Sequence, residues 1–268
     1  ELSVCRLMYN LLRSGCYILG LALNSTPHLT CLHLNHCRLQ DADLLDILQG
    51  CPLDLCELSL NDNRLKFENA QLITRLGYFT NLQYALSPNE ISSNRILRIE
   101  YNNANFSGIL KVCPKWVKLR ELGIGCNSIP PRQVFPKFIA ISLLTELLTL
   151  NLEATIPLEP KSMPAFPTQL EVLNLSLNSI STWSRKHWTA FCENVGQMSH
   201  LKCLSMCNCE LTDREAVDLA SELICCTSLT SLRLDGNQIE KEMGPLVAGL
   251  TQLQVFHIRR KWQDDNHA

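Results

Sequence analysis

An eleven-residue frame, L-x-x-L-x-L-x-x-(N/C)-x-L, returns along almost the whole of this chain. It reads LTCLHLNHCRL at 29–39, LCELSLNDNRL at 55–65, ILRIEYNNANF at 96–106 and LRELGIGCNSI at 119–129. It reads LEVLNLSLNSI at 170–180, LKCLSMCNCEL at 201–211 and LTSLRLDGNQI at 229–239. A degraded copy, LLTLNLEATIP, spans 147–157, and LQVFHIRRKWQ at 253–263 keeps only the first part. A repeat of this length constrains the fold more than any other feature. One copy cannot bury its apolar face alone, so copies must stack in sequence order into a solenoid.

The letters have a physical reading. The fourth and sixth residues of each frame point inward from a short strand, a period of two. The ninth sits inside the turn that follows. There an amide can satisfy backbone groups left open at the strand's end, and a thiol can do so weakly. Cys37 and Cys209 hold that place, as do Asn63, Asn127, Asn178 and Asn237. Most frames begin 23 to 31 residues apart, which leaves room for a helix between them. TDREAVDLASELI (212–224) opens with a Thr212/Glu215 capping box and places Ala216, Leu219, Ala220 and Leu223 on one face. DADLLDILQG (41–50), QLITRLGYF (71–79) and RKHWTAFCENV (185–195) predict helices in the same way. Trp188, Phe191, Cys192 and Val195 form a core stripe in the last of these.

These frames carry the leucine-rich-repeat signature. Long strand–helix repeats with Cys or Asn at the ninth place resemble the ribonuclease-inhibitor-like class, which also occurs in intracellular immune receptors and ubiquitin-ligase substrate receptors. The resemblance covers roughly residues 29–260. It implies an α/β leucine-rich-repeat solenoid, or horseshoe, with a parallel sheet on the concave face and helices on the convex face. The expected organisation is an N-terminal capping helix/strand segment at 1–28, a solenoid of about eight to nine repeats at 29–263, and a tail at 264–268. Two stretches depart from the pattern. The frames at 55 and 96 lie 41 apart, so LQYALSPNEISSNR (82–95) is a defective half-repeat or an inserted loop. IPLEPKSMPAFPTQ (156–169) has four prolines, which predict an extended convex segment in place of a helix.

Composition narrows the function classes. Of 268 residues, 46% are hydrophobic and 19% charged, enough apolar material for a continuous core. A net charge of -2 and a pI near 6.4 give no basis for nucleic acid or an anionic membrane as the main partner. GCYILGLAL (15–23) is too short to span a bilayer, and no membrane insertion is expected. No signal peptide is visible, and Glu1 in place of Met predicts a piece of a larger, multidomain or processed chain. The 14 cysteines lie within apolar runs, as small hydrophobes in a reducing, cytoplasmic setting do; for a secreted effector this is the host cytoplasm. Sequons at Asn24, Asn105 and Asn174 are about as many as chance supplies.

The search for chemistry returns little. There is no phosphate loop, HExxH, GxSxG or CxxC. Cys203 and Cys207 lie roughly 13 Å apart along one strand face at about 3.3 Å per residue, too far to share a zinc ion, and Cys209 is a turn residue. His33 and His36 lack a carboxylate at matching spacing. Cys31 and His33 share a strand face, but a flat sheet offers no helix terminus or cationic pocket to activate the thiol. No catalytic, cofactor or metal residue is assigned. The expected function is a non-catalytic scaffold that binds a protein partner on its concave face, whether as inhibitor, sensor, ligase substrate receptor or pathogen effector. The alternative is a Cys/His enzyme or metal-binding protein that uses the same sheet face.

The candidate binding residues are the outward positions of the frames. The fifth position supplies His33, Ser59, Glu100, Gly123, Asn151, Asn174, Ser205, Arg233 and His257. Acids dominate the middle frames through Glu57, Asp62, Glu100, Glu121, Glu153 and Glu171, opposed by Arg98 and Arg120. The last frames reverse the sign, with Lys202, Arg233, Arg259 and Arg260 against Asp235. A solenoid turns this sequence order into a spatial order, which predicts a partner of the opposite polarity.

Overall fold

The third to fifth residues of a frame are too few to hold a strand by themselves, and each is held by its neighbours. The computed structural model describes residues 2–12, 15–79, 96–102, 115–116, 118–127, 141–156, 166–240 and 247–259. Ten three-residue strands form one parallel sheet in sequence order. They are β1 (Val4–Arg6), β2 (Cys31–His33), β3 (Glu57–Ser59), β4 (Ile96–Arg98) and β5 (Glu121–Gly123). β6 (Thr149–Asn151), β7 (Val172–Asn174), β8 (Cys203–Ser205), β9 (Ser231–Arg233) and β10 (Val255–His257) complete it. Parallel neighbours require a crossover. Among the described residues five helices lie in these crossovers: α1 (Cys16–Leu23), α2 (Asp41–Gly50), α3 (Ala70–Leu76), α4 (Arg185–Gly196) and α5 (Asp213–Leu223). None is long and apolar enough to cross a membrane.

The register aligns the central residue of every strand, so Leu32, Leu58, Leu97, Leu122, Leu150, Leu173, Leu204 and Leu232 form one buried row. The sheet also extends one strand beyond the frames read above, because β1 pairs with β2 through Cys5 and Leu32. LSVCRLMYNLL (2–12) is thus a further copy with Cys at the fourth place. Its strand and α1 lie within residues 1–28.

One frame needs correcting. The structure pairs Leu97 with Leu58 and Leu122, so the copy read at 96–106 begins two residues earlier, at 94. Backbone conformation agrees. The eighth residue of each copy takes positive φ, as at Tyr9, His36, Asp62, Cys126, Ala154, Leu177, Asn208 and Gly236, and here it is Tyr101. In this register Arg98, not Glu100, holds the fifth place, and Glu100 holds the seventh. The stretch 82–95, residues 157–165 of the proline-rich stretch, Asn105, Arg260 and the tail at 264–268 lie outside the described residues.

The ninth position does what its chemistry allows. Asn63 accepts from the backbone N–H of Cys37 (3.1 Å) and Leu39 (3.0 Å) and donates to the carbonyls of Leu34 (2.9 Å) and Leu60 (2.8 Å). Asn178 and Asn237 repeat the pattern, Thr155 holds the place in the degraded copy, and Asn102 joins the row once the register is corrected. Cys37 and Cys209 manage only part of it, each donating its thiol to the preceding copy's carbonyl, Leu7 (2.9 Å) and Leu175 (3.2 Å).

On the helical side, α4 buries Trp188, Phe191, Cys192 and Val195, the stripe expected from spacing. The Trp188 indole donates to Asp218 on α5 (3.2 Å), and Arg185 pairs with the same carboxylate. None of the described cysteines is in a disulfide. Burial pushes the thiols of Cys51, Cys192 and Cys209 up to about 12 and those of Cys16, Cys31 and Cys226 to about 11. Cys225 is exposed. Alkylation of the native chain at neutral pH should therefore mark Cys225 first among the described cysteines and spare those six until denaturant is added. Equal labelling rates at Cys209 and Cys225, measured by peptide mass spectrometry, would contradict this packing.

Candidate functional site

The third, fifth and seventh residues of each copy rise on the sheet face away from the helices. Repeat length decides which of them meet. Across β2 and β3, Cys31 lies beside Glu57 and His33 beside Ser59. His33 Nε2 stands 2.7 Å from Glu57 Oε1 and 3.3 Å from Cys31 Sγ. The histidine expected on the open surface is instead half-buried beside a carboxylate 24 residues away in sequence. His36 likewise meets Asp62 and stacks on Tyr9, with ring centroids 4.3 Å apart. Sequence spacing offered neither pair a carboxylate because the partner comes from the next strand.

Arg98 on β4 joins both neighbours, with Nε 2.6 Å from Glu121 and Nη1 3.7 Å from Glu57. A second network runs along the seventh positions. Asn35 accepts from the Ser59 hydroxyl (2.9 Å) and the Asn61 N–H (2.7 Å). Asn61 and Asn151 donate from either side to Glu100, whose carboxylate occupies the space over Gly123 that a side chain there would fill. Burial raises the Glu100 carboxyl above its usual range, opposed by the amide donations of Asn151 and Asn61 and by Arg98. Asn151 also accepts from the Glu153 N–H (3.0 Å), Glu153 accepts from Asn174 (3.1 Å), and Asn174 accepts from the Ser176 N–H (3.0 Å). Ser176 continues to Ser205 (2.9 Å) and Cys207 (3.1 Å). Asn35, Asn61, Ser176 and Cys207 were missed by following the fifth position. Their shared seventh place and polar type were a legible signal.

The structure thus brings Glu57, Arg98 and Glu121 together in one group and Glu100, Asn151, Glu153 and Asn174 in another. Lys202 pairs with Glu171 (2.9 Å), which softens the sign change expected at that copy. Farther along, Arg233 and Arg259 are exposed, and Asp235 accepts from the Arg259 N–H (2.8 Å) with His257 3.6 Å away. The fifth-position row has no aromatic residue, but the ledge at the eighth position does. Tyr9 is 73% exposed and Tyr101 56%, with Leu177 at 48% farther along the same ledge. Tyrosine is a residue type that concentrates binding energy, and Leu177 adds apolar area beside the two rings.

The match to known proteins follows the same repeat. The family model described as "Leucine Rich repeat" matches residues 26–48 and 225–242, the regions of β2–α2 and β9. The fold is that of a leucine-rich-repeat solenoid. Among solved structures, the repeat chain resembles internalin C2 from Listeria monocytogenes at a TM-score of 0.54 and 22% identity, over 92% of this chain and 86% of that one. It also matches an internalin, InlF, from the same organism at a TM-score of 0.40 and 16% identity, over 89% of this chain and 78% of that one. The first likeness bears on the fold of the leucine-rich repeats. No curated protein sequence matches the chain.

Proposed function

We propose that the chain is a non-catalytic scaffold that binds a protein partner across the open, concave face of its sheet. The observation that carries this reading is the continuous row of half-exposed polar side chains on ten strands, flanked by the ledge of Tyr9, Tyr101 and Leu177. Repetition of this kind makes an extended recognition surface, and the aromatic ledge supplies anchors that the polar row lacks. The candidate contacts are Glu57, Arg98, Glu100, Glu121, Asn151, Glu153, Asn174, Lys202, Arg233, His257 and Arg259. Cys and Asn at the ninth place support a ribonuclease-inhibitor-like repeat. Thiols buried in the core support work in a reducing compartment such as the cytoplasm.

Polarity guides the choice of test. Glu100 is tied into the sheet, so reversing it would disturb the fold. Arg233 and Arg259 are exposed and are the better probes of electrostatic steering. With a partner captured from cytosol, Arg233→Glu with Arg259→Glu should slow association by roughly three- to tenfold at low salt, with the effect shrinking as salt rises. Tyr101→Ala should mainly speed dissociation. Wild-type association and dissociation in both variants would remove the concave face and its ledge as the binding surface.

A further inference from the structure

Three unlike metal-binding side chains meet on the open face near its first strands. Cys31 and His33 stand on the same face of β2, and Glu57 lies beside Cys31 on β3. One donor atom from each lies within 4.8 Å of the other two. Among the described residues no other group brings three such ligands together. We propose that Cys31, His33 and Glu57 form a zinc site, with the fourth coordination position open to water or to a ligand atom of a bound partner.

Geometry supports the ion. Tetrahedral zinc with thiolate, imidazole and carboxylate ligands requires donor separations of roughly 3.4–3.6 Å. The Sγ–Nε2 distance is 3.3 Å, and the Nε2–Oε1 distance of 2.7 Å needs only a small retreat of the Glu57 side chain. The hydrogen bonding points the same way. A single nitrogen, His33 Nε2, faces both the thiol and the carboxylate, yet it has one proton or one lone pair to offer. The Cys31 thiol also hydrogen-bonds Glu57 directly, so the three donor atoms face one another around a common centre, where a cation would bond all three. On binding, the Cys31 thiol loses its proton to solvent, and thiolate, carboxylate and dication sum to zero charge. Arg98 need not obstruct this. It lies 3.7 Å from Glu57 but 2.6 Å from Glu121, so its firmer pairing survives. The ligands come from adjacent strands in fixed register and are 8% (Cys31), 13% (His33) and 20% (Glu57) exposed, which makes the site pre-organised but reachable. One sulfur, one nitrogen and one oxygen suit zinc better than magnesium or calcium, which prefer oxygen alone.

The test uses the full chain, reduced and stripped by chelator, and titrated with cobalt(II) as a spectroscopic substitute for zinc. One equivalent should produce thiolate-to-cobalt charge transfer with tetrahedral visible bands, and zinc should displace it. Cys31→Ser should abolish the charge-transfer band, while Cys207→Ser should leave it intact. Glu57→Gln should weaken binding by about tenfold or more, since even outer-sphere partners of zinc ligands contribute on that scale. Circular dichroism of the metal-free variants separates lost ligands from lost structure. Should Cys31→Ser fail to fold, the decision rests on Glu57→Gln. No stoichiometric cobalt binding, or unchanged binding in folded Cys31→Ser or in Glu57→Gln, overturns the site and leaves a hydrogen-bonded cluster.

Discussion

Replacing Asn237 with Ala should lower the stability of the chain by about 3–5 kcal/mol, although the side chain is a single small amide. Its oxygen accepts from the N–H groups of Cys209 (2.9 Å) and Leu211 (3.1 Å), and its nitrogen donates to the carbonyls of Met206 and Leu234 (both 2.8 Å). Asn237 is only 4% exposed, so water reaches these four groups poorly once the amide is gone. Each buried orphan costs about 1–3 kcal/mol, and partial hydration of the vacated space brings the sum toward the lower figures. Urea unfolding followed by circular dichroism measures the loss. The exposed neighbour is the control: Gln238→Ala should stay within about 0.5 kcal/mol of the parent. An unchanged midpoint for Asn237→Ala would mean that the turn needs no amide. The damage should also spread to β8 and β10, because each copy draws its stability from the copies on either side.

Phe191→Ala should be comparably damaging, at about 3–5 kcal/mol, for a different reason. Phe191 is fully buried on α4. It meets Trp183 at 5.7 Å and Phe166 at 6.2 Å edge-to-face, and Trp188 at 5.3 Å with tilted rings. Removing the ring strips several aromatic contacts at once and leaves a cavity bounded by rigid groups that close over it poorly. Phe191→Leu keeps most of the volume and should recover most of the loss. Tryptophan fluorescence reports directly, since Trp183 and Trp188 both border the site. A destabilisation under about 1 kcal/mol in Phe191→Ala would show that this corner repacks freely.

The two effects differ in how far they could be read from sequence. Asn237 stood out because its frame is nearly ideal and the ninth position has one physical purpose. The copy at 94 misled because strand periodicity is two: sliding by two residues leaves apolar residues at several frame positions, with Ile99 taken for Leu97 and Tyr101 for Ile99. Only lateral pairing and the positive φ at Tyr101 settle the register. The first copy escaped for a compositional reason, with Cys5 where a leucine usually stands. The Phe191 stripe was visible at helical spacing, but its contacts with Trp183 and Phe166 come from outside the helix and carry no spacing signal.

By itself the sequence determined the repeat, the residues that turn inward and the ninth-position row, because each depends on spacing within about a dozen residues. It could not determine which outward side chains meet. His33 with Glu57, Arg98 with Glu121, and Glu100 between Asn61 and Asn151 are neighbours across strands. Their encounter depends on the length of every intervening crossover and on the sheet's register. A change in either would give the same residues different partners, so the electrostatics of the open face belong to the tertiary structure.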